Sequence, residues 1–405
     1  MHIGIAGPIA TESIARFLNA KADVAVLPVG YGGAPLLGTL IGELLFRGHQ
    51  VSAYTTSGDL SLDLEHAVVA QGERFKIYYC PQRQYSLRMN GRYWGRIVDF
   101  FGLERRYLEQ AIRMDNPDMV HAHWAYEFAL AAMASGKPYL VTAHDDPREV
   151  LKLYKNAYRL GRYFMARHVL RRATAVSAVS PDLKRRLQPY TKSAVEVISN
   201  PLNAKFSNFE FTEYHPTEND MPKIVSVING WGYLKNAENA LLAFAHVRKQ
   251  IDDATYHLYG VDFQVGGPAQ LWATKNKLDT GVVFHGKVPH EALIPALEDA
   301  TLMIHPSRSE SCPMGIAEAM ALGVPVVGGQ ESGGVPWMIG DGGILVNINN
   351  PMEIANAVLK IVTDGSLRKS YSRAAHHRVD EFRSEYITSK YEAKYSTILN
   401  GEKNT

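Results

Sequence analysis

Two carboxylates eight positions apart, Glu310 and Glu318, bracket the residues Ser-Cys-Pro-Met-Gly-Ile-Ala inside the stretch Leu302–Gly334, LMIHPSRSESCPMGIAEAMALGVPVVGGQESGG. An apolar run ends near His305 and a loop follows. A helix is predicted from Pro313, which suits the first helical position because it has no amide hydrogen to leave unpaired. Its stop is Gly323, with Pro325 just beyond. Backbone amides at such a start, reinforced by the helix dipole, form a site for phosphate, and Cys312, Met314 and Gly315 are the expected donors. A carboxylate repels phosphate, so neither glutamate is expected to serve the phosphates. Each can instead accept hydrogen bonds from a diol, one on a transferred sugar and one on a ribose, with Glu318 about two turns into the helix. By residue type alone, a loop charge at Glu310 and a solvated helix charge at Glu318 fit as well.

The elements that must position these groups are alternating strands and helices. Apolar, β-branched runs stand at His2–Ala6, Val24–Val29, Gln50–Thr55, Met119–Ala122, Tyr139–Ala143, Ala175–Ala178 and Val195–Ile198. A second series follows at Lys223–Val227, Thr255–Tyr259, Val282–Phe284, Leu302–Ile304, Val324–Val327 and Ile344–Val346. Helix-length segments such as Leu36–Arg47, Ala237–Lys249, His290–Leu297 and Pro351–Val362 lie between them. This alternation builds parallel sheets covered by helices, and two series predict two doubly wound domains. The polar, proline-closed stretch Pro201–Pro222 marks the join. The predicted division is 1–205 for the first domain, 206–222 for the linker, 223–380 for the second domain and 381–405 for a terminal helix that packs back on the first. The default ligand site of such folds is the crevice at the carboxyl ends of the strands.

The chain has 405 residues, 46% hydrophobic and 21% charged, with a net charge of +2 that conceals an asymmetry. Residues 1–200 carry 25 Lys and Arg against 18 Asp and Glu, whereas the remainder carries 18 against 23. The two halves are therefore expected to face different ligands. No apolar run approaches the roughly 20 residues of a bilayer span, and the start MHIGIAGPIA lacks the basic lead of a signal peptide. Two cysteines, Cys80 and Cys312, offer neither a disulfide framework nor metal spacing, which points to a cytoplasmic location. No metal is expected, because Asp145-Asp146 has no further ligand at sensible spacing.

The Leu302–Gly334 segment resembles the signature of the family 4 retaining glycosyltransferases. The resemblance rests on Pro306-Ser307, the pair Glu310 and Glu318, Glu318–Ala321, Gly323-Val324-Pro325-Val326-Val327 and the Gly333-Gly334 turn. It implies the GT-B fold, two Rossmann-like domains facing across a cleft, with Glu310 on the donor sugar and Glu318 on the ribose. Gly32-Gly33 before a helix resembles the family's glycine-rich loop, which approaches donor phosphates and acceptor. Asp118–His123 and Val141–Asp145 are similar to its paired strand ends, which implies that His144 faces the donor sugar. Lys235 falls at the position of the family's phosphate-binding lysine. The family's arginine position falls on Gly230, within Asn229-Gly230-Trp231-Gly232, and the expected glycine after the lysine is Asn236. One cation is thus missing, and Arg308 is the candidate substitute. Trp337 stands where the family commonly has a glutamate.

These readings converge on hexosyl transfer from a UDP- or GDP-sugar, without metal or other cofactor, to a glycan or lipid-linked acceptor in cell-surface polysaccharide or glycolipid synthesis. The leaving phosphate itself can take the acceptor's proton on the same face, so no protein base is required. The alternatives are a GT-B epimerase or phosphorylase, and a non-catalytic sugar-nucleotide binder. Nucleic acid is not expected as a partner, since no recognised module is present. Lys152, Lys155, Arg159 and Arg162, interleaved with tyrosines, fit two readings: a surface of the first domain that recruits an anionic membrane or a lipid-diphosphate acceptor, and the solvated faces of ordinary amphipathic helices.

Overall fold

A computed structural model describes residues 1–19, 23–207, 209, 211 and 221–402. The chain divides into two units, Leu202–Arg383 and a first unit made of Met1–Pro201 joined by the segment from Ser384 onward. Most of the predicted linker, residues 212–220, lies outside the described residues. Just before it, Leu202 and Phe206 are buried in the core of the second unit.

In the first unit, eight strands form one sheet in the order β3-β4-β2-β1-β5-β6-β7-β8. They are β1 His2–Ala6, β2 Gln50–Ser57, β3 Val68–Gln71, β4 Phe75–Pro81, β5 Met119–His123, β6 Tyr139–Ala143, β7 Val176–Ala178 and β8 Val195–Val197. All pairings are parallel except β3 on β4. Helices Pro35–Phe46 and Ser384–Glu402 pack beside one another, with Arg47 and His49 bonded to Glu392 at 2.7 and 2.6 Å. Ile387, Tyr391 and Tyr395 join the core there. Burying one such side chain contributes about 1.5–3 kcal/mol, which is why the terminal helix belongs to this unit.

The second unit holds six parallel strands in the order β11-β10-β9-β12-β13-β14. These are β9 Lys223–Val227, β10 Thr255–Tyr259, β11 Val282–Gly286, β12 Leu302–His305, β13 Val326–Gly329 and β14 Gly343–Val346. The central strands β9 and β12 are buried along nearly their whole length, as expected for a sheet covered on both faces.

One predicted strand is not a strand. Val24–Val26 forms a 3₁₀ turn whose Ala25 amide is capped by Asp23, and Val26 and Val29 stand 77% and 69% exposed. Conversely, β3 (Val-Val-Ala-Gln) and β4 (Phe-Lys-Ile-Tyr-Tyr-Cys-Pro) are strands beyond those predicted. Among the described residues no helix is long and apolar enough to cross a membrane.

Candidate functional site

The carboxyl ends of β9, β12 and β13 bring three loops of the second unit together. After β9 the chain turns through Gly230 and Gly232, both with positive φ (92° and 149°), and a Cβ on either would meet nothing within 4 Å. Glycine is required there by conformation and leaves open space beside the backbone. Asn229 Oδ1 accepts the Val261 amide at 3.1 Å, and the Trp231 amide donates to Asp262 at 2.9 Å, so the turn is anchored to the end of β10. Asn236 is buried and adopts the left-handed conformation (φ 54°) that a glycine would otherwise supply. Its side-chain amide donates to the Pro306 and Ile348 carbonyls at 3.0 and 2.9 Å, locking the lysine loop to the loop after β12. The departure at Asn236 is therefore a different solution to the same backbone requirement.

Lys235 and Glu310 meet across these loops, Nζ to Oε1, at 2.6 Å. Their side chains are 26% and 19% exposed. His305, at the end of β12, places its buried Nε2 3.7 Å from the same oxygen, within ion-pair range but beyond hydrogen-bond distance. Burial pushes the Glu310 carboxyl up, but His305 and then Lys235 more than offset that and hold it at about 2. Glu310 is thus a fixed anion. The Gly333-Gly334 turn closes on it, with the Gly334 amide donating to the Glu310 carbonyl at 2.7 Å. A Cβ at Gly334 would lie 2.3 Å from the Ser311 oxygen, so only glycine permits this approach.

The helix after this loop spans Met314–Ala321, with Pro313 as its N-cap rather than its first residue and no side-chain cap. Met314 and Gly315 are consequently the first two helical residues, and a Cβ on Gly315 would lie 3.6 Å from the Val227 carbonyl at the end of β9. Cys312 Sγ lies 3.7 Å from Met314 Sδ. Glu318 is the fifth helical residue, a little over one turn in rather than two. It bonds His290 Nε2 at 2.8 Å, a partner 28 residues away that sequence reasoning did not connect to it. Arg308 stacks over the Tyr233 ring at 4.1 Å, donates Nε to Asn349 at 2.7 Å and reaches the Tyr233 carbonyl. The arginine that could replace the missing cation is thereby tied to the lysine loop. Trp337 packs edge-on against Phe382.

In the first unit, Gly32 and Gly33 precede the helix that starts at Pro35, and a Cβ on either would again find nothing within 4 Å. His144 follows β6. Its ring stacks on Trp124 with centroids 4.0 Å apart, and its Nε2 lies 3.0 Å from His123 Nδ1. Burial holds His144 at about 3 and pushes His121 and His123 well below the usual histidine range, so all three rings are neutral. Asp145 accepts the Tyr126 hydroxyl at 2.8 Å, and burial raises its carboxyl.

The basic stripe is not one helical face. Two helices, Pro147–Tyr154 and Ala157–Arg172, are separated by Lys155 in a left-handed C-cap and by Asn156 as the next N-cap. Arg162 is 12% exposed, sits 3.7 Å over Tyr126 and pairs with Glu127 at 3.1 Å, so it is a packing group. Lys152 pairs with Glu149, and Arg159 lies over Tyr154 and Tyr158. Among the described residues no group of three or more His, Cys, Asp or Glu is placed to hold a metal ion.

Comparison with known proteins accords with this geometry. Residues 32–206 match the model of Glycosyltransferase Family 4, and residues 209–378 that of glycosyl transferases group 1. The chain is 26% identical over 407 residues to N-acetyl-alpha-D-glucosaminyl L-malate synthase of Bacillus anthracis, spanning 96% of this chain and 99% of that protein. Among solved structures, sucrose-phosphate synthase of Thermosynechococcus elongatus aligns over 99% of this chain and 100% of its own, with a TM-score of 0.73 at 18% identity. HepE of Anabaena, in complex with UDP and glucose, aligns over 98% and 100%, with a TM-score of 0.67 at 16% identity.

Proposed function

The chain belongs to the family 4 glycosyltransferases and has the GT-B fold, and from that premise we propose that it moves a hexosyl group from a UDP- or GDP-sugar to an acceptor hydroxyl with retention at the anomeric carbon. The observation that carries this is the Lys235–Glu310 pair set beside the Met314–Ala321 helix start and the open glycines 230 and 232. Lys235 has three N–H donors and Glu310 takes one, so the ammonium can hold Glu310 and a donor phosphate together. The helix start adds amides and dipole for the diphosphate as its negative charge grows. Glu310, fixed as an anion, accepts hydrogen bonds from sugar hydroxyls, and Glu318 those of the ribose. His144 addresses the sugar as a neutral group. The leaving phosphate takes the acceptor's proton on the same face.

A relative named for an N-acetyl-α-glucosaminyl product and a structure named with UDP and glucose support a hexose or amino-hexose carried on UDP. Two acceptor classes follow from different observations. A lipid-linked acceptor at an anionic membrane is favoured by Trp94, Phe100, Tyr154, Leu160 and Phe164, which are 42–66% exposed on two segments that pack where Ile97 lies over Gly161. Arg88, Arg92, Lys152 and Arg159 belong to the same segments. A small hydroxy acid is favoured by the malate in the name of the full-length relative. Incubating the chain with UDP- and GDP-hexoses and both acceptor classes, and reading the product's anomeric coupling by NMR, tests the proposal. An α-linked product from an α-linked donor supports it; an inverted product, or no transfer from any donor, overturns it.

A further inference from the structure

The three histidines at the carboxyl ends of β5 and β6 form a connected chain in which His121 and His123 are fully buried and His144 is half-buried. His121 bonds the Tyr395 hydroxyl through Nδ1 and Thr142 through Nε2, both at 2.7 Å, and Thr142 bonds Ser177 at 2.7 Å. The His121 and His123 rings lie 4.0 Å apart. His123 is fully buried. Its Nδ1 meets His144 Nε2 at 3.0 Å, while its Nε2 is enclosed and has no partner among the described residues.

Both rings are neutral, so one proton lies between His123 and His144, and which ring carries it decides what His144 can do. Suppose His144 donates. The single proton of His123 must then sit on Nε2, a buried N–H without an acceptor, which is among the rarest and costliest arrangements in a protein interior. Suppose instead that His123 donates from Nδ1. The enclosed atom is then only a lone pair, and His144 must carry its own proton on Nδ1. Free imidazole leans toward the Nε2–H form, but that preference is smaller than the cost of burying an unpaired N–H. His144 Nδ1 is not enclosed, because the residue is only half-buried and this nitrogen is absent from the buried, unpartnered atoms.

We propose that His123 is a positioning residue that fixes His144 as an Nδ1–H donor, so that His144 offers a hydrogen bond to an oxygen of the transferred sugar. The sugar-facing role rests on the proposed function; the tautomer does not. Sequence spacing shows two histidines in His-Ala-His and one in Ala-His-Asp but not which nitrogen meets which. A donor at this point selects for a sugar hydroxyl or carbonyl oxygen as acceptor, and against a deoxy position or an ammonium, which would leave the N–H unpaired.

The test uses the full chain labelled with ¹⁵N-histidine, with His144 assigned by loss of its signal in His144→Gln. The wild type should show His144 protonated on Nδ1 across neutral pH. His123→Phe keeps the packing and removes the donor, so His144 should become a mixture of tautomers. Its kcat should fall about tenfold, the worth of one hydrogen bond, with nucleotide affinity unchanged. His123→Asn, whose side-chain N–H can occupy the place of Nδ1–H, should restore the tautomer and most of kcat. Should His123→Phe fail to fold, the wild-type and Asn spectra still decide. Protonation of wild-type His144 on Nε2 overturns the proposal, as does an unchanged kcat in folded His123→Phe. If His144→Gln itself transfers sugar at the wild-type rate, the role of His144 at the sugar is overturned, while the spectra judge the tautomer separately.

Discussion

Replacing Glu310 with glutamine preserves the outline of the side chain and removes the charge that His305 and Lys235 hold. Depression of that carboxyl from its ordinary 4.5 to about 2 corresponds to about 3 kcal/mol in favour of the charged form in the folded state. The side chain is 19% exposed, and a glutamine oxygen can still accept from Lys235, so the expected loss is nearer to about 2 kcal/mol at pH 7. Because the folded-state value is depressed, this contribution is present in full above pH 4.5 and disappears as pH falls toward 2. Urea unfolding followed by tryptophan fluorescence is the assay, since three of the five tryptophans, Trp231, Trp272 and Trp337, lie in the second unit. The gap between wild type and Glu310→Gln should be largest at neutral pH and should narrow at pH 3.5. Equal stability at pH 7, or a gap that does not change with pH, would show that the Glu310 charge contributes nothing to the fold. The same variant should still bind UDP or GDP while its transfer rate falls, because the lost contact is to the sugar.

Other consequences can be measured on the same protein. Glu318→Ala should weaken nucleotide and nucleotide-sugar alike by about 1.5–3 kcal/mol; titration calorimetry showing unchanged affinity for both would remove Glu318 from the ribose. Lys235→Ala should weaken a nucleoside diphosphate far more than the monophosphate, and equal losses would exclude a role at the distal phosphate. Lys152, Lys155 and Arg159 changed together to glutamine should reduce sedimentation with anionic vesicles while nucleotide affinity holds, and wild-type binding should fade with salt. A wild type that ignores such vesicles even at low salt would favour the soluble acceptor. Arg162 is left out of that set because its role is in the interior.

Much of this architecture is legible in the residues. Short apolar, β-branched runs such as Lys223–Val227 and Leu302–Ile304, set between helix-length segments, read as strands of a covered parallel sheet, and Gly323 with Pro325 ends its helix. What escapes is whatever depends on partners distant in sequence. His290 meets Glu318, and His123 meets His144, by virtue of sheet order, which spacing does not encode. Asn236 reads as a lost glycine until its positive φ shows that it serves the same turn. The 3₁₀ turn at Val24–Val26 illustrates the opposite failure: three apolar residues look like a strand, yet Asp23 caps a turn and leaves Val26 in solvent. In the Lys152–Arg162 stripe, a helical period persists across Lys155, where the backbone breaks.

The loops after β9 and β12, with the helix start they embrace, are proposed to hold a nucleoside diphosphate. A crystal structure with UDP or GDP bound tests this most directly. The distal phosphate is expected on Lys235 Nζ and the amides of Met314 and Gly315, with the ribose hydroxyls on Glu318. A nucleotide bound away from Lys235 and the Met314–Ala321 helix start would contradict it.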